Sequence, residues 1–503
     1  MSSDLERLAN GVLWPGFLGT AAPAWLLDEL RDGLAGVVYF GQNVGEGLLA
    51  LSDEILAANP DALIGIDEEG GSVTRLESAS GSTVPGAAQL GLLDDLIATE
   101  RTGAELARRV RAIGANVILG PVADVNTDPT NPVIGVRAFG ADEELVSRHV
   151  VATVDGIQDG AVAACVKHFP GHGDTHVDSH HALPEISLDI EEFERVHLEP
   201  FRAAIEAGVD AVMTAHIVVP AWGEAPATLN PRVLGMLREW GFDGVIITDA
   251  LDMAAIRETV GIGGGAALAL AAGADLLCIG NPTNPGAAAL PEQDRRDFLA
   301  ARDGIVSALR DGSLSRERVE EAARRVAALA ARLRTAADGQ QETTEEFDAA
   351  EIVRRVVSFT GDAPTAASGL AVVDARRRSS LAVDSAAGYV SGALAADGFR
   401  VRLDVASNPV AEQDRVLDEA ATATGTTVLL IDRPDADAAQ RALVERAAVR
   451  DPHAVVVNVG LPARHPLPLP TIEVAAASRL GAQIARETLL GRTAPSERVA
   501  AAG

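Results

Sequence analysis

The chain has 503 residues and a formal net charge of −30. The length is too great for one ordinary core and implies two domains, while the charge would repel nucleic acid and anionic membranes alike. Two cysteines, Cys165 and Cys278, exclude a disulfide framework, and the low aromatic content of 3% argues against long stacking platforms for polymeric sugars, so a small ligand in a pocket fits better.

In chain order, the first part repeats a short β-branched apolar run, a loop and a helical pattern. The runs cover 12–17, 36–40, 62–66, 116–119, 161–167, 211–214, 244–248 and 275–279. Apolar runs alternating with helices read as parallel strands buried on both faces, and eight of them predict a (β/α)8 barrel. Each cysteine lies in such a run and reads as a small buried core residue. A helical stretch, 315–336, closes a barrel domain at 1–336, and a polar linker follows at 337–347. Residues 348–503 show a second α/β pattern, with strands expected at 369–373, 399–403, 426–431, 454–459 and 471–474. This reads as an α/β (αβα) sandwich. Its first strand lacks a G-x-G-x-x-G loop, so no dinucleotide cofactor is expected, and the sandwich is read as a packing or oligomerisation domain.

Barrel enzymes place their chemistry at the carboxyl ends of the strands. Polar residues stand at those ends here: Asp67 after LIGI, Lys167 and His168 after VAACV, His216 after VMTA, and Asp249 after GVIIT. Burying polar residues at four strand ends without partners would be costly, and a shared pocket removes the cost. Five of the ten histidines fall between His168 and His181. His168, His172, His176 and His180 are spaced by four, which on a helix would build a metal-binding face. Pro170, Gly171 and Gly173 break any such helix, so the segment is expected to be an irregular loop without a metal. Asp178 lies two residues before His180, close enough for the carboxylate to orient the imidazole; simple bonding within the loop is the plainer alternative. Asp249 reads as a nucleophile, a ligand clamp or a helix N-cap, capping being a serious alternative because Asp is a favoured N-cap residue. The amino terminus lacks the basic start and apolar centre of a signal peptide, and no apolar run spans a bilayer, so a cytoplasmic location is expected.

The strings KHFPGHGDTHVDSH (167–180), IDEEGGSVTRL (66–76) and ITDALDM (247–253) resemble motifs of glycoside hydrolase family 3, in its bacterial β-N-acetylglucosaminidase branch. The first is similar to the family's signature loop. IDEEGGSVTRL (66–76) resembles I-D-Q-E-G-G-x-V-x-R, and GPVADVNTDPTNPVIGVRAFG (120–140) resembles the strand-four loop. VMTAHI (212–217), PATLN (226–230) and ITDALDM (247–253) follow in family order. The resemblance implies a retaining mechanism with Asp249 as nucleophile, and with His180, partnered by Asp178, as general acid/base. It implies that Asp67, Arg75, Arg137, Lys167 and His168 grip the sugar and that His216 lines the pocket. Glu68 stands where the family often has Gln, an extra charge beside Asp67. The implied substrates are terminal β-linked N-acetylglucosaminides of muropeptides or chitooligosaccharides, with no cofactor. Phosphate as acceptor, giving N-acetylglucosamine 1-phosphate, is one alternative. A β-glucosidase or β-xylosidase is a second, and an inactive sugar-binding sensor a third.

Overall fold

The computed structural model describes residues 4–175, 183–186, 188–339, 347–361, 369–377, 388–396, 398–492 and 496–497. The chain divides into two compact units. The first comprises 1–69, 99–132 and 140–345; the second comprises 70–98, 133–139 and 346–503.

In the first unit the apolar runs form eight strands: β1 (Leu13–Pro15), β2 (Gly36–Tyr39), β3 (Leu63–Ile66), β4 (Val117–Ile118), β5 (Ala163–Phe169), β6 (Ala211–Thr214), β7 (Val245–Ile247) and β8 (Leu277–Gly280). Strands β2 to β7 make one sheet in sequence order, with every pair parallel. Strand β8 pairs in parallel with β1, a bridge from Ile247 to Leu276 joins it to β7, and β1 lies beside β2. The ring is the expected (β/α)8 barrel. Helices follow its strands, among them Leu48–Ala58, Glu143–Asp159, Pro231–Glu239 and Gly261–Ala272. Local chemistry starts them: the Asp142 side chain accepts the Leu145 N–H, and Asn230 accepts the Arg232 N–H just ahead of Pro231.

Alternate strand residues point inward, giving a core of Val117 and Leu119, Ala163 and Cys165, Ala211 and Met213, Val245 and Ile247, and Leu276 and Cys278. Val326, Leu329 and Leu333 of the helix Arg316–Gly339 join the same core. Trp14 fills the interior and donates its indole N–H to the Leu63 carbonyl at 2.8 Å. That ring fits because position 65 is glycine; a Cβ there would lie 2.3 Å from the indole. No helix among the described residues is long and apolar enough to cross a membrane.

The second unit holds a seven-stranded sheet. Its strands are β9 (Ser358–Thr360), β10 (Leu370–Asp374), β11 (Arg400–Arg402), β12 (Thr426–Ile431), β13 (Val455–Asn458), β14 (Thr471–Glu473) and β15 (Ser496–Glu497), in the order β11-β10-β12-β13-β14-β9-β15. The five expected strands, β10 to β14, are parallel; β9 runs antiparallel to β14. Strand residues alternate between two apolar cores. Leu370, Val372, Val428 and Val455 serve one, while Val373, Leu429, Ile431 and Val456 serve the other. Helices cover both faces, as a sandwich requires. The segments 70–98 and 133–139 pack within this unit. Ser72 Oγ accepts the Ala477 N–H at 2.9 Å, Gln89 donates to the Val474 carbonyl at 2.9 Å, and Arg479 pairs with Glu77 at 2.9 Å.

Candidate active site

The carboxyl end of β5 is the centre of the site. The β5–β6 register runs regularly through Val166 and then shifts before Phe169, so Lys167 and His168 occupy an irregularity at the end of the strand rather than a loop beyond it. Such bulges re-aim side chains next to active sites. The peptide bonds Lys167–His168 and Phe169–Pro170 are both cis.

Lys167 is buried, and its ammonium lies 2.8 Å from Asp67 Oδ1 and 2.7 Å from Glu69 Oε1. Two of the expected residues, Asp67 and Lys167, are therefore in direct contact. Glu69 is a carboxylate that sequence reasoning missed, as is Asp124 below. Glu68, expected to perturb the subsite, is fully buried. His168 meets Asp124 instead: Nδ1 is 2.8 Å from Asp124 Oδ2. His216 is fully buried between Thr228 Oγ1, 2.9 Å from Nδ1, and the Ala250 carbonyl, 2.9 Å from Nε2. It therefore abuts the backbone next to Asp249.

Asp249 follows β7 and is half-buried, with Oδ1 accepting the Ala250 N–H at 2.7 Å. The next helix, Ala254–Arg257, has Met253 at its N-cap, so Asp249 does not cap it. The charges of Asp67, Lys167 and Asp249 all act on the buried Cys165 thiol; burial and the two carboxylates push it up against the opposing pull of Lys167. Asp67, Lys167 and Asp249 stand at the carboxyl ends of β3, β5 and β7, and so at one end of the barrel. Cys165 and Cys278 are both buried free thiols. Arg75 and Arg137 belong to the second unit; Arg137 is buried and donates to the Val133 carbonyl at 3.4 Å. Asp178, His180 and His176 lie outside the described residues. Among the described residues, no group of three His, Cys, Asp or Glu side chains could hold a metal ion.

The stretch 171–175 is neither helix nor strand, in keeping with its glycines. His172 Nδ1 is 2.6 Å from Thr175 Oγ1, and Asn131 donates to the His172 carbonyl at 2.9 Å. Gly173 presses on the backbone at 125; a Cβ would sit 1.8 Å from the Val125 carbonyl oxygen. Gly173→Ala is expected to cost about 1–3 kcal/mol and to lower activity, because the segment must shift to relieve the overlap. Thermal unfolding together with kinetics checks this, and unchanged values in both would contradict it.

Burial pushes the His172 pKa down to about 4, with the attraction of Asp124 only partly opposing it. The unfolded ring takes up its proton near about 6.5. The ring therefore has no effect on stability above that value. Below it the unfolded state binds the extra proton, so stability falls until the folded ring also titrates near about 4. Urea unfolding between those limits is expected to lose one proton's worth of slope in His172→Gln, and an unaltered slope would count against the assignment.

An eight-stranded parallel barrel with carboxylates, histidines and a buried lysine at the carboxyl ends of its strands defines a (β/α)8 enzyme. Residues 27–329 match the model of the glycosyl hydrolase family 3 N terminal domain. The chain is 37% identical over 306 residues to a beta-hexosaminidase of Xanthomonas oryzae pv. oryzae, covering 58% of this chain and 90% of that relative. Beta-hexosaminidase A of Pseudoalteromonas piscicida is 34% identical over 261 residues, 46% of this chain; the chain spans 44% of that relative's length. A solved glycoside hydrolase family 3 beta-N-acetylglucosaminidase from Paenibacillus sp. str. FPU-7 superposes with a TM-score of 0.82 at 31% identity, covering 98% of both chains. The chain belongs to glycosyl hydrolase family 3, and with it to the glycoside hydrolases.

Proposed function

We propose that the chain is a cytoplasmic, retaining β-N-acetylglucosaminidase that removes terminal β-linked N-acetylglucosamine from muropeptides or chitooligosaccharides. The similarity along nearly the whole length to the Paenibacillus β-N-acetylglucosaminidase carries this reading. In the proposed mechanism Asp249 attacks the anomeric carbon while His180, oriented by Asp178, protonates the leaving oxygen. The C–O bond to the aglycone breaks and a glycosyl–Asp249 ester forms. His180 then takes a proton from the acceptor, which displaces Asp249 and restores the starting configuration. Lys167, Asp67 and His168 hold the sugar by charge-assisted hydrogen bonds, His216 supports the pocket wall, and the motifs assign Arg75 and Arg137 to the same task.

The experiment compares nitrophenyl N-acetylglucosaminide with nitrophenyl glucoside and follows the anomer released. Faster glucoside cleavage, or an inverted product, contradicts the reading. A second reading keeps the site and uses phosphate as acceptor. A histidine acid/base favours it, because a carboxylate in that place would repel phosphate by about 1 kcal/mol at 4 Å in water and about 4 at an effective dielectric of 20. No acceleration by phosphate and no sugar phosphate among the products would remove it.

A further inference from the structure

Asp124 takes no part in the chemistry above, yet it is closely engaged with the end of β5. It is fully buried. Oδ2 lies 2.8 Å from His168 Nδ1, while Oδ1 accepts the backbone N–H of His172 at 2.7 Å and that of His168 at 3.3 Å. Burial alone would push its carboxyl up, but His168 and His172 outweigh this and hold it below the usual range. An ionised carboxylate can only accept hydrogen bonds. The proton on the His168 ring must therefore sit on Nδ1, whether the imidazole is neutral or charged, and only Nε2 can change. The His172 ring packs edge-on at 6.0 Å and restricts the orientation further.

We propose that Asp124 is a positioning residue for His168: it fixes the Nδ1–H tautomer and presents Nε2 as the one nitrogen that meets the sugar. The second half of the proposal rests on the reading of His168 as a sugar-gripping residue. The same carboxylate, through the His172 N–H, anchors the first residues after β5. His172 itself is not interchangeable with His168, since its Nδ1 is engaged by Thr175 within the segment.

Long-range proton–nitrogen spectra of the full chain labelled with [15N]histidine test the tautomer without substrate. The His168 signals, assigned by their loss in His168→Asn, are expected to report a protonated Nδ1. In Asp124→Asn the amide can donate to Nδ1, so the proton is expected to move to Nε2. On an N-acetylglucosaminide, Asp124→Asn is expected to lower kcat/KM by about 10–100-fold, and to add little in a His168→Asn background. A His168 ring protonated at Nε2 and not at Nδ1 in the unaltered protein overturns the proposal even if a variant fails to fold. An equal loss in both backgrounds also overturns it, because it would mark Asp124 as a tie for the loop alone. Absence of any activity on N-acetylglucosaminides would defeat the proposed function, while the spectra would still decide the tautomer.

Discussion

Asp249→Ala is expected to lower kcat on an activated N-acetylglucosaminide by roughly 10⁴–10⁶-fold, the range seen when a group central to covalent catalysis is removed. Stability should change little. The carboxylate is half-buried and does not cap the following helix, which begins from Met253. Loss of turnover with retained folding would thus separate a chemical role from a structural one. A substrate whose second step is slow offers an independent check. It should leave a mass adduct on the peptide carrying Asp249 in the unaltered protein and none in the variant. Unchanged activity, or an adduct on another residue, would refute the assignment.

Lys167→Met is the second large effect. The lysine side chain is 2% exposed and sits between Asp67, 17% exposed, and Glu69, 8% exposed. Methionine keeps most of the volume and removes the charge. Two carboxylates are then left close together with little water to solvate them, and removing one partner of a buried ion pair typically costs about 3–5 kcal/mol. Urea unfolding should show a loss of that order, together with loss of activity. Adding Glu69→Gln should recover part of the stability, since one stranded charge becomes neutral. A loss below about 1 kcal/mol would place the pair in the weak, solvated class.

The barrel was legible in the sequence because its strands are buried on both faces. Their β-branched runs stand apart from the polar loops, and all eight appear where expected, with ends displaced by a few residues. Four of the five strands read in the sandwich, β10, β12, β13 and β14, were legible for the same reason, while β11 is an edge strand with exposed arginines. Ser358–Thr360 and Ser496–Glu497 were not, being two or three residues long and carrying Ser, Thr and Glu. Asp67, Lys167, His168 and His216 were found because a polar residue after an apolar run is conspicuous. Asp124 obeys the same rule after VILGPVA, and that signal would have found it. Glu69 gave no such signal. Its partner is Lys167, nearly a hundred residues away, and only the barrel, which sets the ends of β3 and β5 on either side of β4, brings them together. Sequence spacing likewise hid the pairing of His168 with Asp124 behind a regular row of histidines. The proposed acid, His180, rests on the motif, since it lies outside the described residues.

The second unit is discontinuous: 70–98 and 133–139 leave the barrel sequence and pack with residues beyond 346. Ser72, Glu77 and Gln89 find their partners in Ala477, Arg479 and Val474. A gene cut at the linker would therefore sever one folded body, not separate two. Recombination could not exchange the carboxy-terminal half as a cassette without also replacing two short inserts upstream. The halves of this chain are bound to be inherited together, and changes on either side of the linker to be selected as one.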